Sequence, residues 1–199
     1  MADESTKITL EWLQGKNACG EGQQWFKKHF PKGGEIADVL RMVALDEANA
    51  SWIAWLMQRA KYSGVEWLDN LTVGGSLYLS GTQITSLPDN LTVGGYLYLS
   101  GTQITSLPDN LTVGGSLDLS GTQITSLPDN LTVGGSLYLR GTQITSLPDN
   151  LTVGGYLDLS GTQITSLPDN LTVGDYLYLS GSKIKKSAVP AHFERKVIV

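Results

Sequence analysis

The chain has 199 residues, 41% of them hydrophobic, and a formal net charge of −5, which is room and apolar content for one large domain or two small ones. One Cys, with His29 and His192 as the sole imidazoles, excludes a disulfide framework and leaves little for metal ligation or histidine catalysis, so no metal and no cofactor is expected. No run nears the ~18 apolar residues of a membrane span, Met1–Lys7 lacks a signal-peptide pattern, and the acidic balance disfavours nucleic acid as a direct ligand; a cytoplasmic protein with no membrane contact is expected.

Residues 1–66 read as a helical N-terminal cap domain. Leu10 and Leu13 mark a first helical segment over Thr9–Gly15. Trp25, Phe26 and Phe30 mark a second, Glu21–Phe30, which stops at Pro31. Ile36, Val39, Leu40 and Val43 have near-helical spacing in a third, Glu35–Leu45. A fourth, Asp46–Tyr62, takes Asp46 as N-cap and Gly64 as stop, and carries Trp52, Ile53, Trp55 and Leu56. All five Trp lie at or before Trp67, so these helices suit the task of covering the apolar end of a solenoid built by residues 67–186. Cys19 reads as a buried thiol; a nucleophilic role would need His29, on the next predicted helix, beside it.

Residues 67–186 repeat with a period of 20. Leu-Pro-Asp-Asn-Leu-Thr-Val-Gly starts at Leu87, Leu107, Leu127, Leu147 and Leu167, and Trp67-Leu68-Asp69-Asn70 opens an earlier copy in phase. Within a unit, Leu97-Tyr98-Leu99 alternates as a strand with its leucines on one face. Gly94-Gly95 and Gly101 turn the chain, and Pro88-Asp89-Asn90 makes a tight turn on the other side. Stacked units bury Leu91, Val93, Leu97, Leu99, Ile104 and Leu107 in one column, giving a parallel sheet with one strand per unit. Thr102 and its equivalents are expected to bond buried backbone from rung to rung. Six Asn-Leu-Thr sequons come with the period. Residues 187–199 read as a C-terminal cap, in which Val197-Ile198-Val199, behind a basic run, adds an edge strand or covers the last rung, and His192 is a surface residue.

The string L-x-L-x-x-T-x-I-x-x-L-P resembles the leucine-rich repeat, in its short bacterial Leu-Pro subtype, over residues 67–181. Thr stands where that family usually has Asn, and Gly94 where it usually has Leu. The resemblance implies an α+β repeat fold: a curved leucine-rich-repeat solenoid of about six 20-residue rungs, its parallel sheet on the concave face, built for binding rather than chemistry. Some bacterial members carry a ubiquitin-ligase domain after the repeats; with eighteen residues after Gly181, that activity is not expected here. The Trp-Leu, Ala-Cys-Gly-Glu-Gly and Trp-Phe pattern of the N-terminal part is similar to a small helical domain of uncharacterised phage and prophage proteins. That likeness implies a phage-encoded modulator of a host protein as one setting.

The units differ at three positions. Before the first strand Leu stand Ser76, Tyr96, Ser116, Ser136, Tyr156 and Tyr176. Between the two Leu stand Tyr78, Tyr98, Asp118, Tyr138, Asp158 and Tyr178. After the second Leu stand Ser80, Ser100, Ser120, Arg140, Ser160 and Ser180. Alternation places all three on the outward face of the sheet. The candidate partner-binding set is therefore Tyr78, Tyr96, Tyr98, Asp118, Tyr138, Arg140, Tyr156, Asp158, Tyr176 and Tyr178, facing a protein partner. The plainer reading is a ladder of stacked Tyr with an ordinary Asp158–Arg140 ion pair. A rival functional reading starts from Asp89, Asp109, Asp129, Asp149 and Asp169, one carboxylate per rung, as an acidic mimic of nucleic acid that inhibits a DNA- or RNA-handling enzyme.

Overall fold

Six apolar residues in twenty cannot bury themselves, so each unit is stable only between neighbours. The computed structural model describes residues 7–44, 52–53, 55–56, 70–193 and 196–198, and it is a parallel-β solenoid of about six turns preceded by short helices.

The N-terminal part begins with a two-residue antiparallel ribbon, β1 (Lys7–Ile8) on β2 (Gly34–Glu35). Between them lie α1 (Leu10–Gly15) and α2 (Gly20–His29), and α3 (Ile36–Ala44) follows. The Thr9 hydroxyl accepts from the Trp12 amide at 3.1 Å and caps α1. Trp52, Ile53, Trp55 and Leu56 are helical, within the fourth predicted segment; Asp46 and Gly64 lie outside the described residues. Trp25 meets Trp52 edge to face at 5.8 Å, and Trp12 meets Trp55 likewise at 6.3 Å. Ile8, Phe26, Val39 and Leu40 are buried with them, and one continuous hydrophobic core joins these residues to the solenoid.

Each rung carries two strands, not the one expected. Thr72–Val73, Thr92–Val93, Thr112–Val113, Thr132–Val133, Thr152–Val153 and Thr172–Val173 form β3, β5, β7, β9, β11 and β13, a six-stranded parallel sheet. Leu77–Tyr78, Leu97–Tyr98, Leu117–Asp118, Leu137–Tyr138, Leu157–Asp158 and Leu177–Tyr178 form β4, β6, β8, β10, β12 and β14 in a second parallel sheet. A bend at Gly-Gly (Gly174-Asp175 in the last rung) separates the two strands of a rung. The Thr-Val pair is too short to show alternation by itself, yet it pairs in register with its copies above and below. Val and the two Leu of each rung point inward and are almost wholly buried.

The glycine that departs from the leucine-rich pattern has a steric cause. A Cβ on Gly94 would lie 2.2 Å from the Gly74 carbonyl oxygen of the preceding rung, and Gly114, Gly134, Gly154 and Gly174 repeat the contact at 2.4, 2.3, 2.0 and 1.9 Å. Backbones of successive rungs close up here, so no side chain fits. The buried threonines also differ from expectation. Thr102 Oγ1 donates to the carbonyl of Leu99 in its own rung at 2.8 Å, and Thr82, Thr122, Thr142 and Thr162 do the same. The hydroxyl closes the turn after the strand rather than bridging rungs. Other side chains bond from rung to rung, among them the turn asparagines, with Asn90 Nδ2 donating to Asn70 Oδ1 at 3.1 Å and Asn110 Nδ2 to Asn90 Oδ1 at 3.2 Å.

The far end is finished by residues after the repeat. β15 (Val197–Ile198) pairs in parallel with β14, so the second sheet has seven strands, as the edge-strand expectation required. The Leu177 and Leu179 amides donate to the carbonyls of Lys196 and Ile198, both at 2.8 Å. Among the described residues the other sheet gains no strand. In every earlier rung a glycine amide of the next rung donates to the Val carbonyl; at Val173 the Lys196 ammonium does so, at 3.1 Å, and reaches the Gly174 carbonyl at 2.8 Å. Lys196 thus bonds the edge directly. Phe193 is buried over this end, and His192 is exposed on the same 3-10 turn, Ala191–Phe193.

Nearest-neighbour packing makes rungs removable. Deleting residues 88–107 joins Leu87 to Pro108 in the same phase, and a shorter solenoid that still unfolds cooperatively in urea is expected. Loss of cooperative unfolding by circular dichroism in that deletion would contradict this architecture.

Candidate interaction face

The outward side chains of the seven-stranded sheet stand in three columns, because strands pair in parallel with zero offset. Tyr78 stacks on Tyr98 with ring centroids 5.0 Å apart and planes 12° from parallel. Tyr96 joins them at 5.9 Å from Tyr98. Further along the ladder, Tyr156 stacks on Tyr176 at 6.2 Å and meets Tyr178 edge to face at 6.0 Å. The face therefore holds two tyrosine clusters with Asp118, Tyr138, Arg140 and Asp158 between them. Tyr78, Tyr96, Tyr156, Tyr176 and Arg140 are exposed, while Tyr98, Tyr138, Tyr178 and both Asp are half-buried. Burial, reinforced by Tyr78, Tyr96, Asp118 and Tyr138, holds the Tyr98 phenol above its ordinary pKa.

The first-column serines on this face are committed to the fold. Ser76 Oγ accepts from the Tyr96 amide at 2.9 Å, Ser116 Oγ from the Ser136 amide at 2.9 Å, and Ser136 Oγ from the Tyr156 amide at 3.0 Å. Ser therefore occupies a first-column position by satisfying the next rung, whereas Tyr there projects. The two Asp are also held: Asp118 Oδ1 accepts from the Ser120 amide and Asp158 Oδ1 from the Ser160 amide, each at 2.9 Å. The expected Asp158–Arg140 ion pair is not formed, since the carboxylate turns to its own strand, and Arg140 has no ion-pair partner among the described residues.

Cys19 is exposed, not buried as expected. It is the N-cap of α2, its Sγ accepting from the Gly22 amide at 3.4 Å. His29 ends the same helix, about 15 Å away at ~1.5 Å per residue, where its Nδ1 meets the Trp25 carbonyl at 2.8 Å. The helix axis keeps thiol and imidazole apart. Cys19 borders a cleft of ≈ 320 Å³ walled by Leu13, Trp25, Phe26, Trp52 and Leu56. Sequence reasoning missed this cleft. Its signal was the concentration of Trp in the first third of the chain. Among the described residues, no three His, Cys, Asp or Glu side chains group as metal ligands, and no helix is long and apolar enough to cross a membrane.

Fold and face together define a repeat-solenoid protein: a parallel-β coil of about six 20-residue turns with helices at its N-terminus. Residues 1–64 match the YdhT N-terminal domain family, and that match stops short of the repeats. No curated protein matches the chain.

Proposed function

We propose that the chain is a non-enzymatic interaction module whose solenoid is of the leucine-rich-repeat class. It grips a protein partner on the outward face of the seven-stranded sheet, the face that class makes concave. One observation carries this reading: in units otherwise nearly identical, the substitutions collect in the three outward columns. Tyr, Asp and Arg there supply rigid amphipathic area and fixed charge, the composition of a paratope. In the setting implied by the likeness to phage and prophage domains, the partner is a host protein and the chain its modulator.

The test begins with a pull-down from the native host and identification of the captured protein by mass spectrometry. Tyr98→Ala or Tyr178→Ala then weakens its binding at least tenfold, as truncation of Tyr anchors does. Melting temperature stays nearly unchanged, because no inward side chain is removed. The matched control is Asp109→Asn with Asp129→Asn on the turn column. Binding lost in that control and kept in the Tyr variants favours the second reading, an acidic nucleic-acid mimic that inhibits a DNA- or RNA-handling defence enzyme. That reading is supported by Asp89, Asp109, Asp129, Asp149 and Asp169, all exposed and one per rung. Steep weakening with salt would accompany it.

A further inference from the structure

The middle column of the face runs Tyr78, Tyr98, Asp118, Tyr138, Asp158, Tyr178, one residue per rung in parallel register. Each Asp interrupts a file of rings. Tyr98 lies against Tyr78 nearly plane to plane, so its opposite ring face looks along the ladder toward Asp118. Tyr138 stands two rungs beyond Tyr98, about 9.6 Å away at ~4.8 Å per rung. Allowing ~3.5 Å for the thickness of a ring leaves a notch roughly 6 Å wide. Asp118 is its floor. One carboxylate oxygen is tied to the Ser120 amide, and the other has no partner among the described residues. Tyr138 and Tyr178 stand one rung to either side of Asp158, which is tied to the Ser160 amide, and the Tyr178 ring is set edge to face against Tyr156.

The chemistry of such a notch selects a cation. Ring faces are the negative side of the aromatic quadrupole, and the carboxylate adds a full charge held in place. An anion is repelled, an apolar group leaves the second oxygen unpaired, and a neutral donor makes a weaker bond than a charged one. A guanidinium fits best: it is planar, lies against a ring face, and donates two N–H groups to one carboxylate. Arg140 stands in the neighbouring column on the Tyr138 rung and pairs with neither Asp, so both floors stay open.

We propose that Asp118 and Asp158, each with a tyrosine one rung to either side, are paired receptor sites for arginine side chains of the protein partner. The inference rests on the reading of this face as the binding surface and names the partner's chemistry. The two floors are two rungs apart, about 10 Å. In a polyproline II segment, with three residues per turn and ~3.1 Å rise, residues three apart share a face at about 9.3 Å. The partner segment is thus an extended Arg-x-x-Arg.

The probe is the capped peptide Gly-Arg-Pro-Pro-Arg-Gly, titrated into the ¹⁵N-labelled full chain. Gly-Arg-Pro-Pro-Gly-Gly and Gly-Lys-Pro-Pro-Lys-Gly are its comparators. The Ser120 and Ser160 amides, which report on the two carboxylates, should shift and saturate. The two-arginine peptide should bind at least tenfold tighter than the single-arginine one and at least threefold tighter than the lysine one. Asp118→Asn and Asp158→Asn keep the oxygen that accepts the serine amide and remove the charge; each should lower two-arginine affinity at least tenfold. Unmoved serine amides, unaltered affinity in the Asn variants, or equal shifts along the Asp109 and Asp129 turns would each overturn the sites. Equal binding of the lysine peptide would overturn the arginine assignment. If the peptide fails while Tyr98→Ala and Tyr178→Ala still abolish capture of the host partner, the notches are wrong and the face stands. If both fail, the face falls with them.

Discussion

Gly134→Ala lowers the free energy of unfolding by about 3 kcal/mol, the upper range for forcing an extra carbon into closed packing. The added Cβ sits 2.3 Å from the Gly114 carbonyl oxygen, and that obstacle is backbone, not the tip of a flexible side chain. Two rungs must separate, and the ladder bonds on both sides of the bend lengthen with them. Gly101→Ala makes the contrast. Gly101 has φ +68° and open space around its missing Cβ, so only the left-handed conformation opposes a side chain, at a cost of about 1–2 kcal/mol. Urea titrations of both variants, followed by far-ultraviolet circular dichroism, measure the difference. Equal losses would show that rung spacing relaxes freely, and the steric account of the glycine column would be lost.

Removal of residues 187–199 produces a protein that aggregates in proportion to its concentration and melts well below the full chain. The deletion strips Phe193 from the core and leaves the Leu177 and Leu179 amides without acceptors. It also frees the Val173 and Gly174 carbonyls that Lys196 now covers. An open sheet end with an apolar core behind it is a template for another copy. Lys196→Met separates the two contributions: β15 still pairs, and the loss is about 1 kcal/mol, as for a hydrogen bond given up to water. Light scattering against concentration and a thermal scan decide the outcome. A truncated chain that stays dispersed with an unchanged melting temperature would mean that the last rung needs no cover.

Much of this was legible in the sequence, for a definite reason. A period of two along Leu97-Tyr98-Leu99 fixes which side chains point in, and a period of twenty fixes which positions lie above one another. The three outward columns come from those two numbers, and the observed register places each residue where the pattern put it. What escaped depends on distances between rungs, which no single unit encodes. Thr92–Val93 is a strand only because identical pairs lie above and below it. Gly94 reads as a turn breaker until the neighbouring carbonyl is seen at 2.2 Å from its absent Cβ. Thr102, expected to bond across rungs, bonds within its own, while the turn residue Asn90 also bonds across rungs. On the face, composition marked Ser and Tyr alike as surface, and the structure separates them, since Ser136 is buried and bonded to the next rung while Tyr156 projects. At the N-terminus, apolar spacing located the helices, but Cys19 was read as buried because its capping role depends on where α2 begins.

The ladder bonds of both sheets run along the axis of the coil, from each rung to the next. Tension applied along that axis therefore pulls those bonds open lengthwise and does not shear one strand past another. A few bonds join each rung to its neighbour, so rungs detach singly from an end, like turns leaving a spool. Twenty residues extend to about 66–72 Å, against the ~4.8 Å that the rung occupied when folded. Because the units are nearly identical, successive increments have nearly equal length and yield at nearly equal force. The solenoid's length at rest is set by the number of units, and the first yield point at its C-terminal end is set by Phe193, Lys196 and β15.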